Sequence, residues 1–328
     1  MRRRSLLSAA AATVLPLAAR AQGAGPLRRV AVLVSQSESD PEGQVRFAGL
    51  RQGLRDLGWI EGKNLHIDVR YAGGSFERTR DVAREFVAAA PDVIVVNGTP
   101  ALAEIYKATR TIPVVFMSAV DPVGLGYIDS LARPGHNITG FGAFDITLIG
   151  KWLQLLKDVA PSLDHATLLH NPANTPYYPE LIKSTESLSG LPAGALRIAA
   201  VQEASDIDRV VEEIARQSGG GLFAPPDGFT IRYRSEIAAS ALRFRLPLIS
   251  SYPAFPRAGA LLSYATAVGE TYRRAASYVD RILKGEKPGE LPVQLATSFE
   301  LVINMATARK LGLVVPPTLL AAADEVID

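Results

Sequence analysis

The first half of the chain alternates short apolar runs with amphipathic stretches. Runs rich in β-branched residues predict buried strands at residues 28–34, 65–71, 92–96 and 112–116. Apolar residues at helical spacing predict helices at about residues 41–57, 79–90 and 100–109. Strands that alternate with helices form right-handed βαβ units, so this half of the chain predicts a parallel sheet.

The same alternation restarts after about residue 140. It predicts strands at residues 166–170, 197–201, 221–224, 246–249 and 261–264. It predicts helices at residues 147–159, 179–188, 206–217 and 231–244, the third of them capped by Asp206. The glycine-rich segment of residues 135–144 lies between the two series and is typical of a hinge crossing.

From residue 269 the pattern changes. Apolar residues at helical spacing predict an amphipathic helix at residues 272–283, and Gly285 and Pro288 end it. After it come two short extended segments and two small helices, at residues 292–296, 300–303, 306–311 and 318–326. The chain as a whole therefore predicts an α/β fold with two parallel βα series and a C-terminal segment.

The N-terminus has the layout of an export signal. Arginines at positions 2–4 precede apolar residues 6–19 and an Ala-Arg-Ala motif at residues 19–21. We expect cleavage after Ala21, through either the Sec or the twin-arginine route. The apolar stretch is shorter than the roughly 17–25 residues of a membrane span, and Pro16 interrupts it. The sequence thus predicts a periplasmic protein without stable membrane insertion.

Composition and charge narrow the classes of function. Of 328 residues, 48% are hydrophobic and 21% charged, as in globular proteins, and the length suits two domains or one large α/β domain. Four arginines and no acidic residue precede Gln22, which leaves 31 basic against 33 acidic residues. A nucleic-acid partner is therefore not expected. The chain has no cysteine, which excludes disulfides, thiolate metal sites and cysteine nucleophiles.

No motif in the sequence supports catalysis. The HExxH zinc helix, the GxSxG nucleophile elbow and the Walker A loop are all missing. His165 and His170 lie five residues apart on a predicted strand, so their side chains point to opposite faces and cannot share a metal ion. We therefore expect no enzymatic activity, no catalytic residue, no metal and no cofactor.

Several predicted strands end in a small or polar loop that leads into a helix. The clearest is Gly98-Thr99-Pro100-Ala101, where Gly98 permits a tight turn, Thr99 can cap, and the N–H groups after Pro100 form an anion site. The other loops supply further candidate ligand-binding residues: Ser35, Gln36, Asp121, Asn171, Tyr177, Asp227 and Tyr252. Open α/β sheets bind ligands at the carboxyl ends of their strands, so we expect these residues to surround one ligand. Ordinary helix capping is the alternative for each loop.

Longer motifs in the chain are those of a known family. They are GTPA at residues 98–101, DPVG at 121–124, LARPGHNITG at 131–140, YRRAASYVDRILKG at 272–285 and FELVIN at 299–304. With these motifs the chain resembles ABC-transporter substrate-binding proteins over about residues 28–326. Some members of that family are associated with aromatic amino acids such as tryptophan.

The resemblance implies a type I periplasmic binding protein fold, in which two Rossmann-like lobes with parallel sheets are joined by a hinge. It places residues 28–140 in lobe 1 and residues 141–264 in lobe 2, with residues 265–328 as a crossover and C-terminal helices that partly return to lobe 1. We expect a monomer that carries a small anionic or zwitterionic ligand, an amino acid or an aromatic carboxylate, to an ABC permease and its ATPase. A sensory module for a membrane receptor is the alternative.

Overall fold

Two α/β lobes face each other across a cleft in the computed structural model, which describes residues 27–143, 148–189, 194–266 and 268–328. The strands, in chain order, are β1 Arg28–Val34, β2 Leu65–Tyr71, β3 Val93–Asn97, β4 Val114–Ala119, β5 Ile138–Gly142, β6 His165–His170, β7 Leu196–Ala200, β8 Gly220–Ala224, β9 Leu248–Ser250, β10 Leu262–Thr266, β11 Gln294–Leu295, β12 Phe299–Asn304 and β13 Glu325–Ile327. The helices are α1 Pro41–Asp56, α2 Phe76–Ala89, α3 Thr99–Ala108, α4 Leu148–Val159, α5 Tyr178–Ser189, α6 Ile207–Ala215, α7 Gly228–Arg232, α8 Arg234–Arg243, α9 Ala254–Arg257, α10 Val268–Leu283, α11 Met305–Leu311 and α12 Pro317–Ala321. Within these described residues, none of the helices combines the length and the apolarity that a membrane crossing requires.

The first lobe is built on a six-stranded parallel sheet in the order β11-β5-β4-β3-β1-β2. Helices cover both faces, with α1 and α10 packed together on one and α2 and α3 on the other. This burial explains why the strands are continuous β-branched runs rather than alternating ones. The carboxyl ends of these parallel strands all lie on the same side of the sheet. The loops that follow them face the second lobe.

The second lobe is built on a seven-stranded sheet in the order β13-β12-β10-β9-β8-β6-β7. All its neighbouring strands are parallel except β10 and β12. Helices α4, α5, α11 and α12 contribute to the core on one face, and α6 and α8 to the core on the other. The C-terminal segment therefore divides, because α10 and β11 join the first lobe while β12, β13, α11 and α12 join the second.

Most predicted elements are confirmed within a few residues, and four predictions are wrong. Residues 138–142 form strand β5 instead of a hinge crossing, and residues 231–244 divide into α7 and α8 at Tyr233. The last predicted helix ends at Ala321, after which residues 325–327 pair with β12 as strand β13. Asp206 makes no capping hydrogen bond, because its carboxylate pairs with Arg209 instead.

Some predictions concern parts of the chain outside the described residues. These are the signal segment of residues 1–21 and its cleavage point, and residues 144 and 147 at the ends of the predicted crossing and helix. The chain passes between the lobes three times, between β5 and α4, between β10 and α10, and between β11 and β12. The strands at these crossings are neighbours in each sheet, β5 with β11 in the first and β10 with β12 in the second.

Candidate ligand-binding cleft

Loops from the carboxyl ends of both sheets line a cleft with three adjacent chambers that share lining residues. The outer chamber has a volume of about 430 Å³ and is lined by Ser35, Gln36, Ser37, Ser39, Asp40, Ala72, Gly73, Gly74, Gly228, Ile231, Arg232 and Arg234. The middle chamber adds Ser75, Thr79, Asn97, Gly98, Thr99, Pro100, Ser118, Asn174, Pro226, Asp227 and Tyr252. The inner chamber is lined by Arg46, Ser118, Ala143, Leu148, Trp152, Pro226, Ser251, Tyr252, Pro253, Tyr264, Ala265, Thr266 and Phe299.

The two lobes touch each other across the outer chamber. Arg234 of the second lobe pairs with Asp40 of the first at 3.0 Å, and Arg232 Nη1 donates to the Gly73 carbonyl at 3.3 Å. Gly74 lies so close to Gly228 that a Cβ on it would stand 2.6 Å from the Gly228 oxygen. The middle and inner chambers have volumes of only about 30 and 20 Å³ in this arrangement. A ligand larger than a water molecule can therefore enter these two chambers only when the lobes are further apart.

The GTPA segment forms the start of α3 at the middle chamber. Gly98, at φ +84°, is the N-cap residue, and no side chain caps this helix. The prediction that Thr99 caps is wrong, because its hydroxyl instead accepts the Val120 N–H at 2.8 Å. Ser35 Oγ donates to the Asn97 carbonyl at 2.5 Å and so joins the loops after β1 and β3. These contacts fix the shape of the first-lobe wall.

Replacing Thr99 by alanine should destabilise the protein. The Val120 N–H is buried and would lose its acceptor, which costs about 1–3 kcal/mol of unfolding free energy. Urea denaturation measures this loss. Thr99→Ser is the matched control, because it keeps the hydroxyl. It should lose less than half as much unfolding free energy as Thr99→Ala. Equal stability of the wild type and Thr99→Ala would show that this hydrogen bond does not support the wall.

Asp227 is the buried carboxylate of the second-lobe wall. It accepts hydrogen bonds from the N–H groups of Asn171 at 2.7 Å and Phe229 at 2.9 Å, from Asn174 Nδ2 at 3.1 Å and from Thr175 Oγ1 at 3.5 Å. Burial raises the pKa of Asp227 from 3.8 to about 6, and these four donors oppose the rise. The side chain therefore ties the loop after β6 to the loop after β8 beside the middle chamber.

The raised pKa of Asp227 predicts a pH dependence of stability. The folded state holds the proton more tightly than the unfolded state, so this contribution is present below pH 3.8 and is lost as the pH rises through about 6. The difference in unfolding free energy between the wild type and Asp227→Asn should fall by roughly 2 kcal/mol from about pH 4 to about pH 7. Denaturation of both proteins over this range measures it. If the difference in unfolding free energy between the two proteins stayed constant with pH, the raised pKa of Asp227 would be contradicted.

A buried arginine and several aromatic rings form the inner chamber. Arg46, on α1, is 4% exposed and lies between Tyr252 of the second lobe and Tyr272 of α10, with its guanidinium carbon 5.2 and 5.7 Å from the ring centres. Trp152 Nε1 donates to the Tyr264 carbonyl at 2.6 Å, and Tyr264 stacks on Phe299 at 5.3 Å. The chamber therefore offers flat apolar surfaces beside one positive charge.

Several buried polar atoms at the cleft have no hydrogen-bond partner. Among the described residues there are ten such side-chain atoms, and four of them belong to residues that line the chambers: Gln36, Arg46 with two atoms, and Ser251. Folded proteins satisfy nearly all buried polar groups, so these exceptions need a cause. A polar ligand held between the lobes would supply the missing partners.

The structure brings seven of the eleven predicted site residues to the chambers: Ser35, Gln36, Gly98, Thr99, Pro100, Asp227 and Tyr252. The other four do not line them. Ala101 is buried in the core of the first lobe, Asp121 accepts the Gly124 N–H within its own turn, and Asn171 holds the carbonyls of Val201 and Gln202. Tyr177 packs on Tyr178 behind the middle chamber. Asp121 and Asn171 therefore use their polar groups in hydrogen bonds to nearby backbone.

The sequence analysis missed the residues of the inner chamber, above all Arg46 and Trp152. A signal for Arg46 was present, since it lies on the buried stripe of α1 together with Phe47, Leu50 and Leu54. A charged residue on the apolar face of a helix indicates a buried partner or a ligand. Trp152 lies on the apolar face of α4, where a core position and a chamber position have the same pattern.

The described residues contain no group of three His, Asp or Glu side chains that could hold a metal ion. His165 contacts Asp164 and Arg197 at one end of β6, whereas His170 contacts Thr175 at the other. The two histidines therefore belong to separate environments.

Comparison with known proteins places the chain among transport proteins. A family model described as ABC transporter substrate binding protein matches residues 29–327. A curated tyrosine-binding protein of Clostridioides difficile (strain R20291) is 24% identical over 286 residues, which cover 85% of this chain and 80% of that protein. The sequence similarity thus extends over both lobes.

Solved structures have the same architecture. A conserved domain protein from Vibrio cholerae is 30% identical, with a TM-score of 0.81 over 92% of this chain and 99% of that one. An ABC domain from Streptococcus pneumonia in complex with L-Trp is 22% identical, with a TM-score of 0.82 over 92% of this chain and 99% of that one. They confirm the predicted two-lobed α/β fold.

Proposed function

Since the chain belongs to the family of ABC transporter substrate-binding proteins, we propose that it captures a small aromatic carboxylate or aromatic amino acid between its lobes. The observation that carries the proposal is the cluster of unpartnered buried polar atoms beside the rings of the inner chamber. The rings suit an aromatic group, and the polar atoms suit a charged or zwitterionic one. The tyrosine-binding relative and the L-Trp complex of the Streptococcus protein support the same ligand class.

The proposal includes the place of the protein in transport. Residues 1–21 have the layout of an export signal, so the mature chain would begin at Gln22 in the periplasm and work there as a monomer without enzymatic activity. The lobes would hinge at the three chain crossings, enclose the ligand and present the closed form to an ABC permease and its ATPase. N-terminal sequencing of the exported protein tests the first step and should return Gln22.

A thermal-shift screen of the purified mature protein tests the ligand class. The compounds are L-tyrosine, L-tryptophan, L-phenylalanine, 3-phenylpropionate, L-leucine and D-ribose. A true ligand at about 100 times its dissociation constant adds roughly 2.7 kcal/mol of stability. We expect this gain from one or more of the four aromatic acids and not from L-leucine or D-ribose. Stabilisation by D-ribose alone, or by L-leucine as strongly as by any aromatic acid, would contradict the proposed ligand class.

A further inference from the structure

Arg46 is a buried cation whose neighbours satisfy only part of its guanidinium. Nη2 donates to Glu42 Oε2 at 3.3 Å, whereas Nε and Nη1 have no hydrogen-bond partner. The side chain of Arg46 is 5% exposed and that of Glu42 is 13% exposed, so water does not replace the missing acceptors. Leaving charged donors buried without acceptors is costly, and folded proteins retain such donors where another molecule completes them.

The surroundings of Arg46 keep it charged. Burial by itself would lower the pKa of the guanidinium, but Tyr272, Glu42 and Tyr252 act in the opposite direction and the pKa is raised. The two tyrosine rings lie within cation–π distance, and the Tyr272 side chain also hydrogen-bonds the guanidinium, but Nε and Nη1 themselves have no partner at hydrogen-bond distance and angle. A full positive charge with free donors therefore lies where the two lobes meet.

The other residues of the inner chamber indicate which kind of ligand would supply acceptors to the Arg46 guanidinium. Arg46 is the one charged residue among those that line the chamber, and four of the others are aromatic: Trp152, Tyr252, Tyr264 and Phe299. Ser251 Oγ, on the opposite lobe, is also buried without a partner. A ligand with an anionic head and a flat apolar body matches this set, because the head accepts from Arg46 while the body contacts the rings.

We infer that Arg46 is the residue that binds the ligand carboxylate, with Ser251 of the second lobe as a second donor. The inference rests on the proposed function and specifies its chemistry: the carboxylate is required, and an aromatic amide or amine is rejected. Glu42 is a positioning residue, because its contact with Nη2 orients the guanidinium. The carboxylate would then be bound by both lobes, which couples ligand binding to closure.

This assignment differs from the anion site expected at the start of α3. There the Thr99 hydroxyl already accepts the Val120 N–H, and Pro100 has no N–H to donate. No charged side chain from the first lobe joins Thr99 and Pro100 at the middle chamber wall, which is lined there by Ser35, Ser75, Thr79, Asn97 and Ser118. Arg46 offers a charge and free donors together, so it is the stronger carboxylate partner.

Calorimetric titration with pairs of compounds that differ only at the carboxylate tests the inference. The pairs are L-tyrosine with L-tyrosinamide, L-tryptophan with L-tryptophanamide, and 3-phenylpropionate with 3-phenylpropionamide. The wild type should bind the preferred acid at least about tenfold more tightly than its amide, since a hydrogen bond to a charged group is lost. Arg46→Gln should weaken the acid by about 10- to 100-fold and change the amide by less than about threefold.

Two further variants make the result specific. Arg55→Gln removes an exposed arginine from the same helix and should leave the affinity for the acid unchanged. Arg46→Lys keeps the charge in a different geometry and should weaken the acid less than Arg46→Gln does. If Arg46→Gln does not fold, the preference of the wild type for acid over amide and the Arg46→Lys result decide the question.

The outcomes separate this inference from the proposed function. A wild type that binds none of the four aromatic acids of the thermal-shift screen contradicts the proposed function itself. A wild type that binds an acid and its amide equally, or an Arg46→Gln variant that weakens both equally, overturns the assignment of Arg46 and leaves the ligand class intact. Selective loss of the acid supports both.

Discussion

Replacing Gly74 by alanine should weaken ligand binding by about 10- to 100-fold, because the two lobes could no longer close fully. A Cβ on Gly74 would stand 2.6 Å from the carbonyl oxygen of Gly228 and 3.2 Å from its carbonyl carbon. Both contacts are with the backbone of the other lobe, which cannot rotate away as a side chain can. A cost of about 1–3 kcal/mol therefore falls on the closed form alone and lowers the apparent affinity.

Gly73 provides the control for this variant. It also has a positive φ, +60° against +74° for Gly74, but a Cβ on Gly73 would meet nothing within 4 Å. Gly73→Ala and Gly74→Ala should thus lose similar folding stability, about 1 kcal/mol each. Only Gly74→Ala should lose affinity in calorimetric titration with the aromatic acid that stabilises the wild type most. Equal affinities of the two variants would show that this contact between the lobes plays no part in binding.

Replacing Gly140 by alanine should lower the unfolding free energy by about 3 kcal/mol or more. Gly140 lies in β5, and a Cβ there would stand 2.0 Å from the oxygen and 2.7 Å from the nitrogen of Phe116 in the neighbouring strand β4. The two strands would have to separate in a lobe where Phe116 is fully buried. Because β5 leads directly to a chain crossing, the change disturbs both the sheet and the hinge.

Gly150→Ala is the matched control for Gly140→Ala. It lies in α4, and a Cβ there would meet nothing within 4 Å. Gly150→Ala should therefore raise stability by up to about 1 kcal/mol through helix propensity. Urea denaturation of both variants gives the two values. A Gly140→Ala protein as stable as the wild type would mean that β5 is not packed against β4 as described.

The sequence predicts the strands and helices of both lobes well, because buried parallel strands are continuous apolar runs and the covering helices are amphipathic. It fails where glycine or tertiary pairing decides the structure. Strand β5, with the sequence ITGFG, has few β-branched residues, and it exists because Gly140 allows close approach to Phe116. Residues 325–327 follow a helical pattern, yet they form β13 because β12 offers a free edge.

The candidate site also has a part that the sequence predicts and a part that it does not. Residues on loops after parallel strands could be predicted, because those loops meet at one edge of a sheet. The inner chamber could not be predicted in this way, since Arg46 and Trp152 project from helices α1 and α4 and meet only when the lobes come together. Contacts between lobes depend on their relative position, and no local pattern in the chain encodes it.

Trp152 provides a direct reporter for the cleft. The chain has two tryptophans, and only Trp152 lines the inner chamber. Trp59 packs on the core of the first lobe, and its Nε1 donates to Asp280 at 2.8 Å. A Trp59→Phe variant therefore emits only from the chamber, whereas a Trp152→Phe variant emits only from outside it.

The measurement that tests the central claim most directly is titration of these two variants with L-tyrosine, L-phenylalanine and 3-phenylpropionate, excited where only tryptophan absorbs. If the lobes capture an aromatic carboxylate in the inner chamber, Trp152 emission in Trp59→Phe changes saturably with one or more of these acids. Its midpoint matches the calorimetric dissociation constant, and Trp59 emission in Trp152→Phe stays constant. Calorimetric binding that leaves Trp152 emission unchanged, or that changes Trp59 emission instead, would contradict the account.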